Sequence, residues 1–254
     1  MIKIWDLRTQ KCIRTIKNHK DKIQVLQWNP HDDKSIMSAG FDRKAVVCNT
    51  KNPNEKVYFH FKTKEQGEDV ESGWWHPTDP YTCFFSFENG FVKAFDIRNP
   101  DNPVLDFQAH EEQCTSLACS KANDALLVTV SPDGWVNVWD IKSVEDGKPK
   151  LIQSKNLNIG GLFTWKFYDD SPWILATGGI KGELGIWDLE ESEQIVKHFQ
   201  GDEALKALKK QEKEAGIEGR ATPEPANDSD EDYSDYGKDG QNEANMEDDD
   251  EGEW

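Results

Sequence analysis

The chain repeats one short pattern, and that repetition constrains its folding more than any other feature. Segments of one shape recur as Ile2-Lys3-Ile4-Trp5-Asp6, Ala45-Val46-Val47-Cys48-Asn49, Val92-Lys93-Ala94-Phe95-Asp96, Val136-Asn137-Val138-Trp139-Asp140 and Leu184-Gly185-Ile186-Trp187-Asp188. The anchors Trp5, Cys48, Phe95, Trp139 and Trp187 lie 43, 47, 44 and 48 residues apart. A period of this length marks one supersecondary unit that cannot bury its apolar face alone and must stack on its neighbours. Six residues before each later anchor stands a turn residue: Asp42, Asn89, Asp133 or Lys181. Fourteen residues earlier come Trp28, Trp75, Cys119 and Phe167, and nine before those His19, Gln66, His110 and Asn158. The distance from His19 to Asp42 is 23 residues, and so is that from His110 to Asp133.

Each period divides at its turn signals into four short strands. They are expected near 23–28, 35–39, 45–49 and 56–61; near 71–75, 82–86, 91–96 and 103–107; near 115–119, 125–130, 135–140 and 150–154; and near 162–167, 173–177, 183–188 and 194–199. Two further strands, 2–6 and 12–16, open the chain. Spacing and anchors together resemble the WD-repeat family. The resemblance implies an all-β, WD-repeat β-propeller that is incomplete: four full blades plus the last two strands of another. Propellers protect their strand edges by completing a ring of about four to eight blades. A half-blade at the start therefore points to a piece of a longer protein.

Composition divides the chain further. Of the net charge of −18, residues 221–254 carry −13, with 14 acidic residues against Lys238 alone. The expected layout is a propeller over 1–200, a short helix over 201–219 and a disordered acidic tail over 220–254. Asp202 is the expected N-cap of a helix Glu203–Ala215, with Gly216 its stop. The tail has too little aliphatic bulk to offset its ordering entropy. Within it Ser229-Asp230-Glu231-Asp232 is a candidate acidophilic phosphorylation site. Nothing approaches the run of about 18 apolar residues that spans a membrane. The five cysteines form no CxxC pair and sit mostly in apolar runs, as buried thiols in a reducing compartment do. No zinc-ligand spacing accompanies them, and no metal or cofactor is expected.

His110, Thr129 and Asp133 have the residue types of a nucleophilic triad. The WD-repeat resemblance implies another role. In that family a His on the entering loop, a Ser/Thr ending the second strand, an Asp on the following turn and the anchor Trp form one structural network. Here these are His110, Thr129, Asp133 and Trp139, with His19, Ser38 and Asp42 in the first full repeat and Thr177 and Trp187 in the last. Cys48 replaces the first Trp; Gln66, Phe85, Asn89 and Phe95 replace the set in the second repeat; Asn158 and Lys181 depart from it in the fourth. No catalytic residue and no small-molecule substrate are expected.

Two surface features suggest binding. Lys17, Lys20, Lys22, Arg43 and Lys44 gather on one expected rim if His19 meets Asp42, while the matching third-repeat loops carry no cation. Such a patch suits phosphate; the alternative is a solvated loop balanced by Asp21 and Asp42. Phe41 and Trp135 stand beside the turns, as aromatic anchors for protein partners or as covers for neighbouring strands.

A narrower resemblance rests on Val25-Leu26-Gln27-Trp28-Asn29-Pro30-His31, on Asn89 to Arg98, and above all on Gly160-Gly161-Leu162-Phe163, Trp173 to Gly179 and Gly182 to Asp188. These are similar to the periodic tryptophan protein family, over roughly residues 1–199. The resemblance implies a nuclear, chiefly nucleolar, non-catalytic scaffold in large ribosomal subunit biogenesis and rRNA processing. Its implied partners are pre-ribosomal proteins and rRNA, without a membrane. The alternative is a general WD-repeat adaptor, such as a ubiquitin-ligase substrate receptor or a chromatin reader.

Overall fold

A computed structural model describes residues 1–52, 54–59, 69–121, 123–168, 171–204 and 206. The chain divides into Met1–Glu218 and Gly219–Trp254; the second unit, with Ser229 and the acidic tail, lies outside the described residues, as does Gln66.

The described part is built of antiparallel sheets following one another along the chain. A ribbon of β1 (Ile2–Asp6) and β2 (Lys11–Ile16) comes first. Sheet I is β3 (Ile23–Trp28), β4 (Ser35–Gly40), β5 (Lys44–Asn49) and β6 (Lys56–Phe59). Sheet II is β7 (Val70–Trp75), β8 (Thr82–Phe87), β9 (Phe91–Asp96) and β10 (Leu105–Gln108). Sheet III is β11 (Ser116–Cys119), β12 (Leu126–Val130), β13 (Trp135–Glu145) and β14 (Lys148–Asn156). Within each, neighbours in sequence are neighbours in space, the meander expected of a blade. The β13–β14 hairpin runs further than its sequence expectation. Asp146 and Gly147 both adopt positive φ (52° and 77°), the backbone of a tight two-residue hairpin turn, so pairing continues to Glu145 and Lys148.

Sheet IV corrects the expectation of four full blades. It has three strands, β15 (Leu162–Tyr168), β16 (Ser171–Gly179) and β17 (Leu184–Asp188). The expected strand at 194–199 is instead a helix, α1 (Glu193–Phe199), following a 3-10 turn at Leu189–Glu191. The Ser192 side chain caps α1 by accepting from the Ile195 amide, and Ile195 and Val196 are buried. Apolar residues at 195, 196 and 199 share one helical face, whereas a strand would split them between two. Helical residues resume at 202, so Asp202 lies inside that turn rather than capping it; the rest of the expected helix is outside the described residues beyond residue 206.

Packing occurs between consecutive sheets rather than within one. Trp75, Phe85 and Phe95 join Val25, Met37 and Phe59 in one cluster, between sheets I and II. Phe84, Val92 and Phe107 point the opposite way and meet Leu117, Leu127 and Trp139 of sheet III. Val128, Val136 and Val138 meet Leu162, Trp165 and Trp187 of sheet IV. Because side chains alternate across a strand, each central strand feeds two cores, so both of its faces read as apolar. The same alternation separates the adjacent Trp75, 1% exposed, from the partly buried Trp74. Gly73 lies where a Cβ would come within 2.9 Å of Val25 Cγ1, allowing β7 to approach sheet I.

Candidate functional site

The turns between second and third strands, and the loops entering each sheet, place the polar residues singled out by their spacing. In sheet III His110 Nε2 is 2.9 Å from Thr129 Oγ1, its Nδ1 is 3.0 Å from Asp133 Oδ2, and Trp139 Nε1 donates to Thr129 Oγ1 at 3.0 Å. Asp133 also accepts from the Trp135 amide at 2.8 Å. Burial opposes ionisation of Asp133, but the His110 and Trp135 donors outweigh it and hold the carboxyl below its ordinary value. Thr129 is 0% exposed, so no substrate carbonyl can reach its hydroxyl; the arrangement ties strand to loop and offers no open face for nucleophilic attack.

Sheet I repeats the geometry. His19 Nδ1 lies 2.8 Å from Asp42 Oδ1 and its Nε2 2.8 Å from Ser38 Oγ, while the Lys20 amide donates to Asp42 Oδ2 at 3.0 Å. Burial again works against the Asp42 charge, and the His19 and Lys20 donors overcome it, lowering its pKa. Cys48 is buried at the Trp139-equivalent position, and desolvation raises its thiol pKa. In sheet II Asn89 caps its own turn, accepting from the Phe91 amide at 3.1 Å, and the other two residues of the set, Phe85 and Phe95, are buried. In sheet IV Thr177 Oγ1 donates to the Thr164 carbonyl at 2.9 Å, and among the described residues no hydrogen bond joins it to Trp187. The Trp187 ring instead faces Lys155 Nζ, 4.9 Å from its centroid.

The His19 loop and the Asp42 turn also bring the five cations onto adjoining segments, the Phe41 amide donating to Lys22 O at 3.0 Å. Lys17, Lys20, Lys22, Arg43 and Lys44 are all exposed. Lys22 Nζ sits 5.6 Å from the half-buried Phe41 ring, and Arg43 Nε reaches Asp69 at 3.5 Å. Arg43 is in the left-handed region, φ 60°. The equivalent turn positions in the other sheets are Gly90, Gly134 and Gly182, with φ 79°, 82° and 77°. A side chain there costs about 1–2 kcal/mol relative to glycine. Trp135, on the sheet III rim, is 39% exposed.

Sequence spacing did not reveal several other polar contacts. Lys93, 6% exposed, pairs with Asp106 at 2.8 Å across β9 and β10. His198 of α1 meets Asp140, the residue after the Trp139 anchor, at 2.7 Å, and Ser192 bonds Gln153. A lysine inside an apolar strand was the available signal for the first; the α1 contacts had none, because they depend on where the helix docks. The first strands of all four sheets line a cavity of about 880 Å³ that includes Trp28, Trp74, Trp165 and Tyr168. Four cysteines are buried, burial raising the Cys114 thiol to about 12, while Cys12 is exposed. Among the described residues no cluster could hold a metal ion, and no helix is long and apolar enough to cross a membrane.

Comparison with known proteins agrees with this repeat geometry. The family model "WD domain, G-beta repeat" matches residues 10–49 and 101–140, so the chain carries WD repeats. An uncharacterized WD repeat-containing protein of Schizosaccharomyces pombe is 29% identical over 64% of this chain and 31% of its own length. The Periodic tryptophan protein 1 homolog of Drosophila melanogaster is 25% identical over 77% of this chain and 42% of its own. The GATOR2 complex protein WDR24 of Homo sapiens is 24% identical over 64% of this chain and 20% of its own. The chain thus spans less than half the length of each of these relatives.

Proposed function

We propose that this protein is a non-catalytic scaffold for macromolecular assembly in the nucleus, acting in the nucleolus in large ribosomal subunit biogenesis and rRNA processing. In this reading the His110 and His19 networks are structural clamps, and the rim of Lys17, Lys20, Lys22, Arg43 and Lys44 contacts rRNA phosphate within pre-ribosomal particles. The observation that carries it is Arg43. A cation is kept in left-handed backbone where the three equivalent turns have glycine, so a backbone cost is tolerated in favour of a charge on that rim. The likeness to the Drosophila periodic tryptophan protein supports the ribosomal part. The exposed Trp135 favours protein partners beside RNA.

Co-sedimentation with pre-large-subunit particles tests this. Binding is expected in the wild type and lost when Lys20, Lys22, Arg43 and Lys44 are neutralised together. Arg43→Gly alone separates binding from folding: it should weaken co-sedimentation while raising the melting temperature, since it removes the left-handed strain. Purification with a ubiquitin ligase or a histone complex, free of rRNA, would overturn the ribosomal reading.

A further inference from the structure

The loop entering sheet III and the face of β13 enclose an open groove of about 730 Å³, whose lining includes Glu111, Glu112, Trp135 and Asn137. Its parts are fixed in place. The Trp135 amide is held by Asp133, itself bound to His110, so the indole is mounted on the clamp. The Ala109 and His110 amides donate to Gly90 O at 2.9 and 3.2 Å, seating the loop against the neighbouring turn of sheet II. A Cβ on Gly90 would lie 2.2 Å from both Glu112 O and His110 O, so that seating is close.

The groove's chemistry is one-sided. Glu111 and Glu112 are exposed, and neither forms an ion pair among the described residues. Asn137, 8% exposed, spends its Nδ2 on the Ala109 carbonyl at 2.8 Å, leaving its Oδ1 buried without a donor. The position is unusual among the repeats: its equivalents are Val46, Gly185 and Lys93, the last already paired with Asp106. Against these acceptors the lining has one lysine, Lys148, and His110, whose two ring nitrogens are already engaged by Asp133 and Thr129. An aromatic face, two carboxylates free of ion pairs and an unfilled acceptor are the complement of a cation that carries several N–H donors. A phosphate would meet repulsion in the same place.

We infer that this groove binds a basic side chain from an extended, cationic segment of a partner protein, with arginine preferred over lysine. A guanidinium can stack flat on the Trp135 indole while its fork of donors reaches the carboxylates. Entry deep enough to satisfy Asn137 Oδ1 would also relieve the cost of an unpaired buried acceptor. Outside residues 221–254 the chain still carries a net charge of −5, which favours the approach of such a segment. The inference does not depend on the RNA reading, because it uses another sheet and the opposite charge.

The acidic residues 221–254 also attract basic peptides, so the test must separate the two. Fluorescence anisotropy of a short Gly-Ser peptide carrying paired arginines is measured with the full chain at physiological salt. Trp135→Ala, and the double variant Glu111→Gln with Glu112→Gln, should each weaken binding about five- to ten-fold with an unchanged melting curve. Trp135→Phe should keep most of the affinity, the lysine peptide should bind more weakly, and its citrulline counterpart should not bind. Equal affinity in wild type and variants would assign binding to the tail and overturn the inference, as would failure of the arginine peptide to bind at all. Particle co-sedimentation is read on the Lys20, Lys22, Arg43 and Lys44 variant, so either reading can fail alone.

Discussion

At the scale of single residues, the most consequential side chain is His110, which is 5% exposed and joins a loop, a strand and a turn. His110→Ala leaves Thr129 and Asp133 short of a partner inside the protein, at about 1–3 kcal/mol for each group stranded. A thermal melt should fall by several degrees, and an unchanged curve would refute the clamp. Asp42 and Asp133 add a pH dependence. Their folded pKa values are depressed below the ordinary 3.8, so their contribution is fully present above that value and is lost as pH falls through the depressed ones. Melting temperature should therefore drop steeply as acid passes below about pH 4. In Asp133→Asn the drop should be shallower, from a lower starting point. The residues of both networks were named by the WD-repeat resemblance, and the recurrence of the 23-residue spacing supported them. Asn137 could not be named in that way, since its unfilled acceptor is a matter of what the neighbouring loop happens to supply.

At the scale of elements, the informative departure is α1. An expected fourth strand became a helix because Ser192 caps it and because Ile195 and Phe199 pack into one cluster while Val196 is buried beside them in sequence. Ile195 is 0% exposed and packs in the cluster that holds Leu175 and Trp187. Ile195→Ala should cost about 2–4 kcal/mol in urea unfolding. Leu184→Ala on exposed β17 should cost little, since Leu184 is 69% exposed. Equal losses would mean that α1 is not docked as described. Short apolar runs fit strand and helix alike until packing decides between them, and in this chain the periodic rhythm of four strands favoured the wrong one.

At the scale of the molecule, the stack of sheets has two apolar ends. Leu184 and Ile186 of β17 are 69% and 66% exposed, whereas the residues at the matching positions of β5, β9 and β13 (Ala45 and Val47, Val92 and Ala94, Val136 and Val138) are buried. At the other end Trp5 and Ile13 are 53% and 63% exposed. Exposed faces and open strand edges of this kind favour association with further strands. Sedimentation velocity should show concentration-dependent self-association of the isolated chain. The double variant Leu184→Lys with Ile186→Lys should reduce it, and a strictly monomeric wild type at high concentration would contradict this.

The sequence by itself determined the repeat and its four-strand rhythm in the first three sheets, while the WD-repeat resemblance named the partners of His19 and His110. The repeat and its rhythm are local or periodic, set by alternation along a strand and by the turn signals between strands. Tertiary structure alone decided the helix that replaces the last strand, the contact between His198 and Asp140, and the groove around Trp135. Each of those joins residues whose meeting depends on how one sheet settles against the next. Packing of that kind is shared among many side chains and leaves no count between any two of them.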